Sequence, residues 1–418
     1  MRVLLTGQSG FIGSQLRASL LSRGHEVPAA RVDLRTAVTP EAWLLHLTGV
    51  DVVINAAGIF RERRAGDFSL INEAAPCALF RAAAAAGVRV IIQFSALGAD
   101  EEAASRFHLS KRAADECLRS VPAASFILQP SLVFGPGGAS ARLMDMLASL
   151  PLIPMPGTGE QRIQPIHVDD LVGAVVRLAE SVPPRGATTV PMVGPRAMSL
   201  RQYLGTLRQG LGLPPARFVA MPMPAMRLMA RLAAWMPSTP VDPQALEMLE
   251  RGNTAEVRVT QEVLGGLPRD PALFIPVDRA GGLRTQATLA WLLPLLRASI
   301  ALMWIWAAVV SVWFHPLAES YGMLSASGVP AALVPMALYG AAALDLVLGV
   351  LTLTLRRRKW LWLAQIALVL VYTVVIAVRL PEYLTHPFGP IVKNVPILIV
   401  LWMLAELEPT QRRRPSNI

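Results

Sequence analysis

The sequence predicts an α/β fold with a doubly wound parallel sheet, followed by an all-α bundle of four transmembrane helices. Two observations support this prediction. Short apolar segments alternate with helical segments through the first half of the chain, which is typical of parallel strands joined by crossover helices. After about residue 285 the chain holds four long apolar segments separated by short loops. The predicted domains are residues 1–280, with a variable lobe at about 180–280, and residues 285–410.

Composition narrows the class of protein. The 418 residues are 53% hydrophobic and carry a formal net charge of +10. Basic residues cluster at 356–359 and 412–414, beside apolar segments, which favours a topology signal over contact with nucleic acid. Two cysteines, Cys77 and Cys117, suit a reducing compartment and predict no disulfide framework. The spacing of His and Cys residues predicts no metal site, and no signal peptide is expected before the first strand.

Three glycines spaced three apart mark the first motif. Gly7, Gly10 and Gly13 follow an apolar strand at 2–6 and precede an amphipathic helix. A glycine-rich turn lets the backbone approach a pyrophosphate, and N–H groups at the helix start meet its charge. The arrangement therefore predicts a dinucleotide site.

The later elements repeat the alternation of strand and helix. They are predicted in this order: a strand at 50–56, a helix at 69–86, a strand at 89–95, a helix around Lys111 and a strand at 125–128.

These segments resemble the extended and atypical short-chain dehydrogenase/reductases, the epimerase/dehydratase-like group with a Rossmann-type fold, over about residues 1–280. The motifs that carry the resemblance are Thr-Gly-x-x-Gly-x-x-Gly at 6–13, Asn-Ala-Ala-Gly at 55–58, Pro-Ser-Leu-Val-Phe-Gly-Pro at 130–136 and Gln-Pro-Ile-His-Val-Asp-Asp-Leu at 164–171. Phe-Ser-Ala-Leu-Gly at 94–98 is most similar to the branch of the 39-kDa-type accessory subunit of respiratory complex I.

The resemblance implies the residues that hold the cofactor. They would be Gly7, Gly10, Phe11, Ile12 and Gly13 at the diphosphate, Asp33 near the adenine or ribose, and Asn55, Ala56, Ala57, Gly58, Ser95, Lys111 and Pro130 along the cofactor channel. An acidic residue after the second strand favours NAD, whereas an arginine favours the 2′-phosphate of NADP. Arg31 lies near that position, so NADP is favoured over NAD, and both stay open.

The catalytic group implied by the resemblance is incomplete. These enzymes use a Ser, a Tyr and a Lys, with Tyr-x-x-x-Lys on one helix face, where the lysine lowers the phenol pKa. Here Ser95 and Lys111 are present, but Phe107 stands at the tyrosine position. His108 is a weaker substitute acid, since it lies about 100° round the helix from Phe107, and a solvated or locally hydrogen-bonded histidine is the alternative.

A hydrolase triad of Ser95 with His167 is a competing interpretation. No Gly-x-Ser-x-Gly elbow surrounds Ser95, so Asp169 and Asp170 are predicted to lie at a helix start instead.

The four apolar segments are predicted to span a membrane at about 288–314, 330–355, 360–379 and 388–406. The loops at 314–328 and 380–389 contain no Lys or Arg, so the positive-inside rule places both termini and the dinucleotide domain on the cytoplasmic side of a bacterial-type inner membrane. This part resembles the DoxX-like membrane domains, through Ala-Leu-Asp-Leu-Val-Leu-Gly at 343–349, His-Pro-Phe-Gly-Pro at 386–390 and Lys-Asn-Val-Pro at 393–396.

Ionisable residues inside the spans are functional candidates because their burial in a bilayer is costly. Arg297 and Asp345 lie at similar predicted depths, which predicts an ion pair between them. Lys393 is expected to reach the outer surface, towards Glu382 or Glu319.

Two functions remain open at this level. The first is a membrane-anchored NAD(P)-dependent oxidoreductase or epimerase that acts on a hydrophobic small molecule. The alternative is a catalytically inactive dinucleotide-binding scaffold or redox sensor for a partner in a membrane complex.

Overall fold

The computed structural model describes residues 1–30, 32–182, 184, 186–234, 243–355, 358–385, 389 and 391–408. The chain divides into two compact units, Met1–Thr288 and Leu289–Pro415. Several sequence features lie outside the described residues: Arg31, Arg356, Arg357, Arg412–Arg414 and most of the motif at 386–390.

The first unit alternates strands with helices. Its strands are β1 (Val3–Thr6), β2 (Val52–Asn55), β3 (Val90–Phe94), β4 (Ser125–Pro130), β5 (Val133–Phe134), β6 (Ile153–Pro156), β7 (Arg162–Ile163), β8 (Ile166–His167), β9 (Ala187–Met192), β10 (Met198–Ser199) and β11 (Phe218–Met221). Its helices are α1 (Phe11–Ser22), α2 (Glu41–Leu44), α3 (Ala75–Ala85), α4 (Arg106–Ser120), α5 (Ala139–Ser149), α6 (Val168–Glu180), α7 (Leu200–Gly210), α8 (Met223–Ala234), α9 (Pro243–Arg251) and α10 (Val257–Leu264). A π-helical segment, Phe68–Ala74, leads into α3.

A parallel sheet organises this unit. Across the described residues, its five strands follow the order β1-β2-β3-β4-β9. Alternate strand residues pack on opposite faces: Leu4 belongs to the core cluster that contains Leu118 of α4, whereas Leu5 belongs to the cluster that contains Leu171 of α6. Both faces of the sheet are therefore covered by helices, which confirms the predicted doubly wound arrangement.

The register of the sheet decides which side chains meet at its carboxyl edge. Thr6 pairs with Asn55, and Asn55 pairs with Gln93, so residues at or next to the carboxyl ends of three neighbouring strands form one row. In open α/β sheets, ligands bind at this edge.

A third core cluster fills the variable lobe around Tyr203 and Phe274. Asp145 of α5, a helix that packs against α7, is buried, and burial raises its pKa to about 7. Burial, together with the nearby Asp145, raises the pKa of Tyr203 well above its ordinary value. The first unit thus contains a carboxyl group that titrates near neutral pH.

The expectation of no disulfide is wrong in this structure. Cys77 of α3 and Cys117 of α4 form a disulfide, with Cα atoms 5.8 Å apart. The two helices pack side by side on one face of the sheet, and this brings together residues that are 40 positions apart in sequence. Composition alone could not show that proximity.

The second unit is helical. Its helices are α11 (Val277–Val309, which begins in the first unit), α12 (Leu317–Ala326), α13 (Val334–Thr354), α14 (Lys359–Arg379) and α15 (Asn394–Leu407). In the described part of the chain, three helical segments are long and apolar enough to span a membrane: Val277–Phe314, Ala331–Thr354 and Lys359–Arg379. The fourth predicted span appears as the shorter apolar helix α15, and α12 occupies most of the segment that was predicted as a loop.

Close packing and buried polar contacts hold the bundle together. A Cβ atom on Gly349 of α13 would lie 2.6 Å from Cγ1 of Ile305 and 3.0 Å from the carbonyl oxygen of Ala301, so α13 and α11 approach closely there. Trp304 donates a hydrogen bond to Gln365 (3.0 Å), and Gln365 donates to Thr352 (2.8 Å). Polar groups inside the bundle therefore satisfy one another across three helices.

Candidate functional site

The glycine loop between β1 and α1 has the shape that a diphosphate site needs. Gly7 has a φ of +70°, and a Cβ atom there would lie 2.7 Å from the carbonyl oxygen of Ala56. A Cβ atom on Gly13 would lie 2.0 Å from the carbonyl oxygen of Gly7. α1 begins after Gly10, which offers no side chain to the first-turn N–H groups. These N–H groups and the bare loop fit the diphosphate of a dinucleotide.

The ends of the strands are fixed by a row of side chains. Thr6 donates a hydrogen bond to Asn55, and the amide of Asn55 donates to Gln93 at 2.6 Å. All three side chains are buried. The row holds the carboxyl edge of the sheet in register beside the glycine loop.

Asn72 holds the next segment in place. Its Oδ1 accepts a hydrogen bond from N–H of Ile59 (2.9 Å), and its Nδ2 donates to the carbonyl oxygen of Ile59 (2.9 Å) and to Oγ of Ser110 (3.0 Å). Gly58, the last residue of the predicted channel motif, is thereby held against α4. Asn72 was missed in the sequence, although a polar residue in an otherwise apolar helix face was a signal for it.

Lys111 lies at the centre of the site. Its Nζ donates to the carbonyl oxygen of Phe94 at 2.9 Å, and a Cβ atom on Gly58 would lie 2.8 Å from Nζ. Burial lowers the pKa of Lys111 to about 8, although the nearby Asp115 opposes the shift. The structure therefore brings Lys111 to the channel segment, with an ammonium group that can exchange its proton near neutral pH.

Ser95 is held by a residue that the sequence interpretation did not include. Its hydroxyl donates a hydrogen bond to Asp115, four positions after Lys111 on α4. Burial raises the pKa of Asp115 to about 6, and the hydrogen bond from Ser95 and the charge of Lys111 act in the opposite direction. The spacing of four between Lys111 and Asp115, which puts both on one helix face, was the available signal.

Phe107, at the position where the resemblance implies a tyrosine, packs against other aromatic rings. Its ring centroid lies 4.9 Å from that of Phe60 and 6.5 Å from that of Phe68. Phe60 is 43% exposed, and Phe107 is partly buried. The mouth of the site beside Lys111 is thus lined by apolar rings.

His108 is buried instead of solvated. Its ring packs against Gly98, and its Nε2 has no hydrogen-bond partner among the described residues. Burial lowers the pKa of His108, and the positive charge of Arg251 lowers it further. His108 thus packs between α4 and Gly98, on a different side from the contact of Lys111 with Phe94. Its role as a weak substitute acid stays a prediction from the sequence.

The remaining residues have local roles. Asp33 is exposed, and its carboxylate accepts the N–H of Arg35 (2.9 Å), while the carbonyl oxygen of Pro130 accepts the N–H of Leu97 (3.1 Å) beside Ser95. Asp169 and Asp170 lie in the first turn of α6, as predicted from the sequence.

The predicted ion pair between Arg297 and Asp345 is wrong. Nη2 of Arg297 lies 3.3 Å from Oε2 of Glu408, and Glu408 also lies 3.7 Å from Nη1 of Arg358. Glu408 follows the fourth predicted span, so it was not counted as a partner, and the rotation of each helix cannot be derived from depth alone. Oδ1 of Asp345 has no hydrogen-bond partner in the part of the chain that the structure describes.

Lys393 is exposed at the start of α15. Glu319, one of its two expected partners, lies 3.8 Å from His315. The reach of Lys393 to the outer surface stays a prediction.

Family comparisons agree with this two-part architecture. Residues 3–188 match the NAD dependent epimerase/dehydratase family, and residues 301–402 match the DoxX-like family. The chain therefore combines an epimerase/dehydratase-type domain with a DoxX-like domain.

Individual relatives are distant. A ceramide reductase of Caulobacter vibrioides (strain NA1000 / CB15N) is 30% identical over 190 residues, and the match covers 42% of this chain and 59% of the reductase. The UDP-glucuronic acid 4-epimerase of Bacillus cereus has a TM-score of 0.50 at 17% identity, with coverage of 70% of this chain and 100% of the epimerase. RMD from Pseudomonas aeruginosa, solved with NADPH, has a TM-score of 0.50 at 15% identity, with coverage of 69% and 99%. These two structures show a shared fold.

Proposed function

We propose that this chain is a membrane-anchored NAD(P)-dependent oxidoreductase or epimerase that acts on a hydrophobic, membrane-associated substrate. The observation that carries the proposal is the buried ammonium group of Lys111, which lies beside Gly58 at the carboxyl edge of a sheet with a glycine loop shaped for a diphosphate. The predicted cytoplasmic position of this domain, on an inner membrane, belongs to the same proposal.

The cofactor would lie along the carboxyl edge of the sheet. The loop from Gly7 to Gly13 would hold its diphosphate, and Ala56, Ala57 and Gly58 would line the channel towards Lys111. A bound nicotinamide supplies or accepts the hydride. NADP stays favoured over NAD on the sequence position of Arg31.

Lys111 would hold the proton that accompanies hydride transfer. Phe107 has no exchangeable proton. The ammonium group of Lys111 lies directly against Gly58 of the channel segment, so it could donate a proton there without a tyrosine between them. The Ser95–Asp115 pair fixes the strand end next to it.

The substrate would be apolar where it meets α4. The rings of Phe107, Phe60 and Phe68 line this side, and the similar ceramide reductase is named for a lipid substrate. A carbonyl or hydroxyl group on a hydrophobic molecule suits both the rings and Lys111.

Phe107 also supports a second candidate. A dinucleotide-binding scaffold or sensor in a membrane complex would keep the glycine loop and lose the phenol. Lys111 would then act only as a ligand of the cofactor ribose.

Cofactor binding tests both candidates. The full-length protein in detergent is titrated with NADPH and NADH while reduced-nicotinamide fluorescence is followed. Gly13→Ala should abolish binding, because the added methyl group meets the Gly7 carbonyl, whereas Gly173→Ala in α6, where space is open, should leave binding unchanged. Absence of binding in the unaltered protein contradicts both functions.

Measurement of turnover distinguishes the enzyme from the scaffold or sensor. Oxidation of NADPH by long-chain ketones, aldehydes or quinones in the unaltered protein supports the enzyme. Tight binding without turnover, with turnover gained in Phe107→Tyr, supports the scaffold and contradicts the enzyme.

A further inference from the structure

The segment at residues 59–67, named here the arginine loop, presents an unusual surface beside the site. Phe60 is 43% exposed, and Arg61, Arg63 and Arg64 are also exposed. An exposed aromatic ring among arginines is typical of surfaces that contact a membrane interface.

The loop is held in one conformation by hydrogen bonds at both ends. Asn72 binds both backbone groups of Ile59, and one carboxylate oxygen of Asp67 accepts the N–H groups of Arg63 (3.1 Å) and Arg64 (3.0 Å). Glu62 accepts the N–H of Phe68 at 3.1 Å. A binding partner therefore meets a surface whose backbone is already ordered, which lowers the entropic cost of docking.

The acidic side chains of the arginine loop point inward, whereas Arg63 and Arg64 are exposed on its outer side. The side chain of Asp67 is 3% exposed and lies 2.9 Å from Nε of Arg35, while Glu62 is 12% exposed and lies 2.8 Å from Nη1 of Arg106. Both acidic groups are thus turned inward and paired. Arg63 and Arg64 are exposed on the outer surface, so this surface is complementary to negative charge.

We propose that the arginine loop docks on the anionic surface of the lipid bilayer, with Phe60 inserted at the headgroup level. The same chain carries helices long and apolar enough to span a membrane, which favours a lipid bilayer as the partner of the loop. Arginine contacts with anionic lipids and the insertion of the exposed Phe60 ring between headgroups would both contribute to docking.

The arginine loop lies next to the candidate site, so its docking would bring the bilayer surface close to that site. Phe60 contacts Phe107, one helical turn before Lys111, so an inserted Phe60 would form a continuous apolar path from the lipid to the site. Delivery of a membrane-dissolved substrate along this path rests on the proposed function, whereas docking itself does not.

A depth measurement tests the docking. The full-length protein, in a Cys77→Ala, Cys117→Ala background, receives a nitroxide label at Phe60→Cys and is placed in nanodiscs of phosphatidylcholine with or without phosphatidylglycerol. With phosphatidylglycerol, we expect the accessibility of the label to a water-soluble nickel complex to fall several-fold and its accessibility to oxygen to rise. A label at Leu45→Cys, where the side chain is 91% exposed at the end of α2, should stay accessible to nickel in both discs.

Charge reversal provides the matched control. Arg63→Glu with Arg64→Glu should return the label at position 60 to water, and so should salt of about 1 M, where the Debye length is ~3 Å. The proposal is overturned if the label at position 60 stays accessible to nickel in phosphatidylglycerol discs. It is equally overturned if labels at 45 and 60 enter lipid alike, or if the label is shielded only when a soluble acidic protein is added.

Cofactor titration of the same samples separates this proposal from the proposed function. Insertion of the label without NADPH binding would remove the proposed function and keep docking. NADPH binding and turnover with a label that remains in water would remove docking and keep the function.

Discussion

At the scale of single residues, the chemistry of the site depends on which groups are buried with which partners. Lys111 could be identified because the resemblance implies a Tyr-x-x-x-Lys turn, and Phe107 stands at its tyrosine position. Asp115 could not be assigned to Ser95 in the same way, since that contact joins a helix to the end of a neighbouring strand. Contacts within one helix can be derived from spacing, whereas contacts between elements depend on packing.

Replacement of Lys111 tests its role as the proton source. In Lys111→Met, which keeps much of the chain length, we expect turnover to fall on the order of 10²-fold or more, since general acid catalysis is lost. The unaltered enzyme should reduce its substrate more slowly as pH rises through about 8, where Lys111 loses its proton, and the variant should lack this limb. Measurement of kcat against pH, with NADPH affinity followed by fluorescence, tests whether Lys111 donates the proton. An unchanged pH profile in the variant would assign the proton to another group.

Asp145 should make the stability of the first unit depend on pH. Its pKa is 3.8 in an ordinary environment and about 7 in the fold, so the folded state binds an extra proton between these values. This contribution to stability should therefore be fully present below pH 3.8, fall by about 4 kcal/mol as pH rises to 7, and be lost above 7. Thermal unfolding of the purified protein at pH 5 to 8 should show a steeper loss than in Asp145→Asn. The exposed Asp278→Asn serves as the control, and equal slopes in all three proteins would refute the assignment.

At the scale of elements, periodicity predicted the strands and helices of the sheet well, because both faces of the sheet are buried and the strands are almost continuously apolar. The segment that forms α12 was predicted as a loop, because Glu319 is the one charged residue within this helix and a single charge does not mark a helix face. The rotation of each helix about its axis could not be derived either. Arg297 and Asp345 were predicted to pair because their depths are similar, but Arg297 contacts Glu408. Depth along a span can be counted from the sequence, but the side of the helix that faces each neighbour cannot.

The close approach of α13 and α11 gives a test at this scale. Gly349→Ala adds a methyl group 2.6 Å from Ile305, so overpacking should cost about 1–3 kcal/mol and lower the unfolding midpoint of the membrane unit in detergent. Gly340→Ala, on the same helix with nothing within 4 Å of its new methyl group, should change the midpoint little or raise it. Equal midpoints for both variants would show that the two helices do not pack closely at Gly349.

At the scale of the whole molecule, the two units were separable in the sequence because the long apolar segments all lie after about residue 285. These segments contribute to the mean hydropathy of +0.45 of the whole chain. The fold of each unit followed from pattern and resemblance. The identity of the substrate did not follow, since the lobe that would select it is held by contacts between distant segments, such as that of Arg251 with Gly98.

The paired cysteines bear on the side of the membrane that the first unit faces, which so far rests on the charges of the loops. Cys77 and Cys117 are near enough to bond, but whether the bond persists in a cell is decided by the compartment, because glutathione and thioredoxin keep cytosolic thiols reduced. Alkylation of intact cells followed by mass spectrometry would therefore report the sidedness of the first unit. Two alkylated cysteines would agree with the charges of the loops, and an intact bond would put the nucleotide site on the opposite side of the membrane. One pair of sulfur atoms thus serves as a built-in marker of membrane topology.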